Sequence, residues 1–115
     1  MRDLLNAAKG RITEIETDEA ERRLATNPAA VVLDVREADE HDQGALPGAV
    51  HIPRGCLESQ VESKVPDREA ELVVYCAGGT RSAFAADTLQ QLGYTNVVSM
   101  AGGFRDWASE IGEVE

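Results

Sequence analysis

A cysteine and an arginine on either side of a short glycine-containing loop are the residues of this chain best suited to chemistry. Cys76 ends an apolar run, and Arg81 opens a helical pattern. Four residues separate them: Ala77, Gly78, Gly79 and Thr80. Because glycine adopts backbone angles that other residues resist, the loop can curl until successive N–H groups converge on one point. The spacing therefore predicts a nest for an anion directly after Cys76.

The electrostatics of such a loop would favour the thiolate form of Cys76. A helix from about Thr80 adds the positive end of its dipole, and the guanidinium of Arg81 adds a full positive charge. The thiolate is the nucleophilic form of cysteine. A lone cysteine is more often a small buried hydrophobe, but the combination of cysteine, glycine loop, arginine and helix favours a nucleophile.

Three stretches of the chain, in family order, resemble the signature motifs of the rhodanese sulfurtransferases. The segment Cys76-Ala77-Gly78-Gly79-Thr80-Arg81-Ser82 resembles their active-site loop. Residues 33–37, continuing through 44–49 to Ile52-Pro53, resemble the first signature, and residues 100–104 with Trp107 resemble the closing motif. In one departure, Ala45 stands where the family usually has histidine. We expect only a local effect, because that turn is not the nucleophile's loop.

The resemblance implies a single-domain sulfurtransferase that works through a persulfide on Cys76. In this family a cysteine thiolate attacks the outer sulfur of a donor, typically thiosulfate, and sulfite leaves. Cyanide or a thiol then takes the sulfur, so covalent two-step chemistry is expected. Residues 77–80 and Arg81 would contact the small anionic donor, and no cofactor is implied. Whether Arg81 clamps the substrate or braces the loop stays open.

Two other functions remain compatible with the loop. A cysteine phosphatase or arsenate reductase also uses a cysteine, a loop and an arginine, but its loop has five residues between them, and this chain has four. The same motif also resembles the rhodanese domain that ends some sulfur-carrier activating proteins. In that case the chain would be a relay module with little turnover of its own, and a protein partner would accept the sulfur.

Three further residues lie where the carboxyl edge of a sheet is expected. Arg36 follows Asp34 at the end of a strand, so either residue could support an anion site. An ion pair that fixes the loops is the favoured interpretation, because charges near a core are usually paired. Cys56 follows the next strand and could resolve an oxidised or persulfidated Cys76, but a cysteine without a role is favoured.

Composition excludes several classes of function. The net charge is −10, with nine arginines and only Lys9 and Lys64 as lysines, so binding to nucleic acid is not expected. No stretch approaches the ~20 apolar residues of a membrane span. The first nine residues are too short and polar for a secretory signal, so a cytoplasmic location is expected. Two cysteines and two histidines have no zinc-site spacing, so no metal is expected.

The elements that position the loop alternate between strand and helix. Strands are predicted at 11–15, 31–35, 50–52, 72–75 and 96–99. Helical patterns are predicted from Thr17 as N-cap to about Ala25, weakly over 54–63, from about Thr80 to Leu92, and after Gly103. Residues 2–9 suggest an amphipathic turn that Gly10 ends. This alternation predicts an α/β fold of rhodanese-like type, a parallel sheet of about five strands with helices on both faces. One domain over residues 1–115 is expected, with a motif core of about 31–109.

Overall fold

Helices and strands alternate along the chain in the computed structural model, which describes residues 2–115. The helices within that range are α1 (Arg2–Arg11), α2 (Thr17–Thr26), α3 (Ala38–Asp42), α4 (Leu57–Lys64), α5 (Thr80–Gln91) and α6 (Gly103–Glu110). The strands are β1 (Thr13–Ile15), β2 (Val31–Asp34), β3 (Val50–His51), β4 (Leu72–Tyr75) and β5 (Val97–Met100). A short 3₁₀ turn, Arg54–Cys56, precedes α4.

All five strands form one parallel sheet in the order β1-β5-β4-β2-β3. The central strand is β4, and each of its four residues is buried. Such a strand needs apolar side chains on both faces, which is what the run Leu72-Val73-Val74-Tyr75 supplies. The predicted α/β fold and the count of about five strands are confirmed.

Alternate residues of the strands contribute to two separate cores. Leu33 and Val74 belong to the core beneath α4 and α5. Val32 and Val73 belong to the opposite core, which α2 and α6 cover. Because successive side chains of a strand point to opposite faces, each central strand supports both helical layers.

Two predicted boundaries are wrong at the start of the chain. Helix α1 does not end at Gly10 but continues to Arg11. Tertiary contacts explain the extra residues: Arg11 Nε and Nη2 donate to the Asp87 carboxylate of α5 at 2.8 and 2.7 Å, and the Arg11 carbonyl accepts from Gln90. These bonds outweigh the low helix propensity of glycine.

The second wrong boundary is the N-cap of α2. Glu16 occupies the N-cap position, and Thr17 is the first helical residue. Thr17 is buried, and its hydroxyl has no hydrogen-bond partner within residues 2–115. N-cap preference alone predicted Thr17 as the cap, but Thr17 is the first residue of the helix and its side chain is buried. No helix among residues 2–115 has the length and apolar character needed to cross a membrane.

Candidate active site

Cys76 lies directly after β4, at the carboxyl edge of the central strand of the sheet. Ligands of open parallel sheets bind beyond this edge. Residues 77–79 form the connection to α5, which begins at Thr80. Gly78 and Thr80 are exposed, whereas the Cys76 side chain is buried. The sulfur therefore lies beneath the surface, and the loop that follows it is exposed to solvent.

The sulfur of Cys76 accepts hydrogen bonds from the loop that follows it and from the first turn of α5. The N–H groups of Gly79 and Ser82 lie 3.1 and 3.4 Å from Sγ, and the Ser82 hydroxyl lies 3.5 Å away. Burial would raise the pKa of the Cys76 thiol, but the Ser82 hydroxyl and the N–H groups of Ser82, Gly79 and Gly78 outweigh it, so the pKa is lowered. The arrangement stabilises a thiolate within a buried site.

A second hydroxyl continues this network away from the sulfur. Ser99 of β5 lies with its Oγ 2.8 Å from Ser82 Oγ, and both serines are completely buried. The sequence reasoning missed both residues as part of the site. The available signal was a serine within the apolar run of β5, since a buried hydroxyl needs a partner.

Two glycines allow the loop and the start of α6 to approach each other closely. Gly79 has φ +103°, and a Cβ there would lie 2.2 Å from the Ala101 carbonyl oxygen. Gly103 has φ +59°, and a Cβ there would lie 2.5 Å from the Cys76 carbonyl oxygen. The N–H of Phe104 donates to that same carbonyl at 2.8 Å. The closing motif thus holds the backbone of Cys76 in place.

Arg81 is bound to a carboxylate from another element. Its two terminal nitrogens lie 2.6 and 2.9 Å from the Glu40 carboxylate oxygens of α3. The Arg81 guanidinium lowers the pKa of Glu40 to about 2. Glu40 also accepts from the N–H of Glu37, which closes a capping box at the start of α3. In this structure Arg81 links α5 to α3.

Asp34 and Arg36 form a buried ion pair at the end of β2, the strand beside β4. Arg36 Nη2 donates to Asp34 at 2.8 Å and to the Gly44 carbonyl at 2.7 Å. Burial would raise the pKa of Asp34, but hydrogen bonds from Arg36, His41 and Tyr75 outweigh it, so that pKa is lowered. The Arg36 guanidinium lies 4.4 Å from the Phe104 ring centroid. The pair therefore links the end of β2 to the segment at Gly44 and to Phe104 of α6.

Cys56 and the histidines have no hydrogen bond or ion pair with Cys76 in residues 2–115. Cys56 is half-buried in the 3₁₀ turn before α4. His41 and His51 stack with ring centroids 4.4 Å apart. His41 Nδ1 lies 2.9 Å from Asp34 Oδ2, so this ring belongs to the ion-pair network. Within the described range, no three His, Cys, Asp or Glu side chains are arranged to hold a metal ion.

The fold and the site together define an α/β protein with a buried cysteine in a glycine loop at the carboxyl edge of a parallel sheet. The sequence profile of the rhodanese-like domain matches residues 16–110. This chain belongs to the rhodanese-like family.

Individual relatives are similar over most of the chain. YrkF of Bacillus subtilis, which is named as a sulfur carrier protein, is 31% identical over 86% of this chain but only 52% of its own length. The chain thus spans about half of that relative. The thiosulfate:glutathione sulfurtransferase of Homo sapiens is 34% identical over 75% of this chain and 85% of its own length.

A solved structure is similar over nearly the whole chain. The protein RPA3614 of Rhodopseudomonas palustris, whose function is unknown and which is described as a possible tyrosine phosphatase, superposes with a TM-score of 0.87. It is 31% identical and covers 99% of this chain and 92% of its own.

Proposed function

We propose that this protein is a sulfurtransferase that carries sulfane sulfur on Cys76 as a persulfide. The observation that carries the proposal is the set of groups around Sγ: the N–H groups of Gly79 and Ser82 donate to it, and the Ser82 hydroxyl lies 3.5 Å away, where it can donate to a thiolate. These donors point at the atom on which negative charge resides in the thiolate. Preorganised donors of this kind stabilise charge at low cost, because they need no reorganisation during the reaction.

The first half-reaction begins with the Cys76 thiolate and an anionic sulfane donor such as thiosulfate. The thiolate attacks the outer sulfur, a bond forms between the two sulfurs, and the bond from the outer sulfur to the sulfonate group breaks. Sulfite leaves with the bonding electron pair, and Cys76 carries a persulfide. In the second half-reaction an acceptor thiolate attacks the terminal persulfide sulfur, and the Cys76 thiolate is the leaving group. No oxidant is needed in either step.

The choice of donor and acceptor rests on chemistry and on the human relative. A small anion suits a loop whose N–H groups converge, and the relative's name joins thiosulfate to a thiol. We therefore take thiosulfate as donor and a low-molecular-weight thiol as acceptor. A cytoplasmic location, predicted from the sequence, suits a reduced thiol acceptor.

The position of Arg81 favours sulfur transfer over phosphoryl transfer. A phosphatase of this type needs its loop arginine free to clamp phosphate oxygens. Arg81 instead has two of its nitrogens bound to the Glu40 carboxylate. The loop is also one residue shorter than the loop of that enzyme class, with four residues between Cys76 and Arg81. Both features count against a phosphatase, although RPA3614 is described as a possible one.

A relay module is the second candidate function, and the name of YrkF favours it. Such a module would accept sulfur from a protein persulfide and pass it to a protein acceptor, through the same Cys76 persulfide. The loop geometry serves both functions, since each needs a stabilised thiolate. The two differ in whether a small donor loads the cysteine at a useful rate.

Intact-mass measurement tests the proposal directly. The protein is incubated with excess thiosulfate and measured without reductant. We expect a gain of one sulfur atom on the Cys76 peptide, which dithiothreitol or cyanide removes. Cys76→Ser should abolish the gain, and Cys56→Ser, the matched control, should leave it unchanged.

Other outcomes identify the other candidates. No gain from thiosulfate, combined with a gain from a cysteine-desulfurase persulfide, would make the chain a relay module. Hydrolysis of an aryl phosphate without any sulfur gain would make it a phosphatase. Loss of most steady-state sulfur transfer in Cys56→Ser, with an unchanged circular dichroism spectrum, would give Cys56 a role as a resolving thiol.

A further inference from the structure

An arginine that the sequence reasoning did not single out lies against the active-site loop. Arg105, in the first turn of α6, donates its backbone N–H to the Ala77 carbonyl at 3.1 Å. Its side chain extends over Gly78: a Cβ placed on that glycine would lie 3.2 Å from Arg105 Nη1 and 3.6 Å from both Cζ and Nη2. The guanidinium therefore occupies the space beside Gly78 that a side chain there would need.

Gly78 connects this guanidinium to the reacting sulfur. Its N–H is one of the groups that lower the pKa of Cys76, and the next N–H along the chain, that of Gly79, lies 3.1 Å from Sγ. The glycine pair of the loop thus contacts the sulfur through Gly79 and the Arg105 guanidinium through Gly78. Gly78 is also exposed, so an anion can reach this part of the loop from solvent.

The charge of Arg105 is available for a ligand, unlike that of the other arginines around the site. Seven of the nine arginines bind a carboxylate: Arg11, Arg22, Arg23, Arg36, Arg54, Arg68 and Arg81. Arg105 has no salt bridge and no side-chain hydrogen bond to any residue in the range 2–115. The chain has a net charge of −10, yet this arginine beside the Cys76 loop pairs with no carboxylate of the described residues. Its guanidinium is therefore suited to bind an anionic ligand.

We propose that Arg105 binds the anionic end of the sulfur donor, the sulfonate group of thiosulfate, and thereby makes the site selective for donors with an anionic group next to the sulfane sulfur. The inference rests on the proposed sulfur transfer. A guanidinium fork matches two oxygens of a sulfonate, as it matches those of carboxylate and phosphate. With the sulfonate bound over Gly78, the outer sulfur is directed towards the Cys76 thiolate. Arg105 is a specificity-determining residue in this account, and Arg81 is a brace.

Steady-state kinetics with an uncharged acceptor test the proposal. For a two-step reaction, kcat/KM for each substrate reports its own half-reaction. With thiosulfate and dithiothreitol, Arg105→Gln should lower kcat/KM for thiosulfate roughly tenfold, because a charge-assisted contact is lost. It should leave kcat/KM for dithiothreitol within about twofold, since that step involves no sulfonate. Arg105→Lys should retain part of the thiosulfate rate. Arg22→Gln, which removes the same charge from α2, is the matched control and should change neither value.

Alkylation of Cys76 in the Cys56→Ser background separates this inference from the proposed function, because it requires no sulfur transfer. Arg105→Gln should slow the reaction with iodoacetate several-fold but leave the rate with iodoacetamide, its neutral analogue, within about twofold of the wild-type rate. Equal slowing of both reagents would show that Arg105 only supports the loop or the thiolate, and would overturn the proposal. Unchanged rates with both reagents would also overturn it. Wild-type protein that gains no sulfur but keeps the iodoacetate effect would refute thiosulfate transfer and leave the anion site standing.

Discussion

The hydrogen-bond donors around Cys76 decide its chemistry at the scale of single residues. The Ser82 hydroxyl has one hydrogen, and it can donate that hydrogen to the sulfur only if it does not give it to Ser99. In the thiol form Cys76 donates to Ser82 Oγ. In the thiolate form Ser82 must donate instead, and its oxygen then accepts from Ser99, 2.8 Å away. Ser99 therefore favours, through Ser82, the arrangement that stabilises the thiolate.

This chain of hydroxyls predicts graded effects on the pH dependence of Cys76. Ser82→Ala removes a hydrogen bond to a charged group, worth roughly 1.5–3 kcal/mol, so the ratio of thiolate to thiol at a given pH should fall about tenfold or more. Ser99→Ala should act in the same direction but less strongly. The pKa of Cys76 rises in both variants, so alkylation by iodoacetamide slows at neutral pH and approaches the wild-type rate at high pH.

The measurement is the alkylation rate between pH 5 and 10, in the Cys56→Ser background. Ser63→Ala is the matched control, because Ser63 in α4 is exposed and bonds only the Gln60 carbonyl. If neither Ser82→Ala nor Ser99→Ala moved the midpoint, the backbone N–H groups alone would set the thiolate's stability.

At the scale of elements, the sequence predicted what depends on local pattern. Strand β4 has the predicted bounds, and α5 reaches its C-cap at Leu92, where the helical pattern was predicted to end, with Gly93 at φ +97° in the C′ position. The partners of the site residues could not be predicted in this way. Glu40 meets Arg81 from 41 residues away, and Ser99 meets Ser82 from 17 residues away. Those pairs depend on the strand order of the sheet, which places β4 between β5 and β2.

The contact between the loop and the closing motif predicts that Gly79 tolerates no side chain. Gly79→Ala would have positive φ and a Cβ 2.2 Å from the Ala101 carbonyl oxygen. Because the clashing atom belongs to the backbone, the loop or the start of α6 must move, and the N–H groups then no longer point at the sulfur. We expect a loss of at least tenfold in sulfur loading and a destabilisation of about 1–3 kcal/mol.

Urea unfolding and the mass assay check this prediction together. Gly10→Ala is the matched control: a Cβ there meets nothing within 4 Å. Since α1 includes this glycine, alanine should stabilise the fold by up to about 1 kcal/mol and leave loading unchanged. Normal loading by Gly79→Ala would mean that the loop does not depend on its close approach to Ala101.

At the scale of the whole molecule, the net negative charge opposes the approach of an anionic sulfur donor. A body of net charge −10 repels anions at long range, whereas the converging N–H groups and Arg105 attract them only near the loop. The two effects respond differently to salt. Screening shortens the range of electrostatic interaction from ~30 Å at 0.01 M to ~8 Å at 0.15 M ionic strength, so it removes the long-range repulsion before it weakens contacts of a few ångströms.

Salt should therefore accelerate the reaction of Cys76 with an anion. In the Cys56→Ser background we expect iodoacetate alkylation to speed up by a few-fold between 0.01 and 0.15 M ionic strength, with iodoacetamide as the neutral reference that stays constant. Arg105→Gln should lower the iodoacetate rate at both ionic strengths but keep the acceleration, because the repulsion comes from the rest of the surface. A weakly hydrated anion such as perchlorate would itself compete for the loop, so the ionic strength is better raised with the salt of a bulky organic anion. A steep fall of the iodoacetate rate with salt would contradict this account and show that a positive field around the loop dominates the approach.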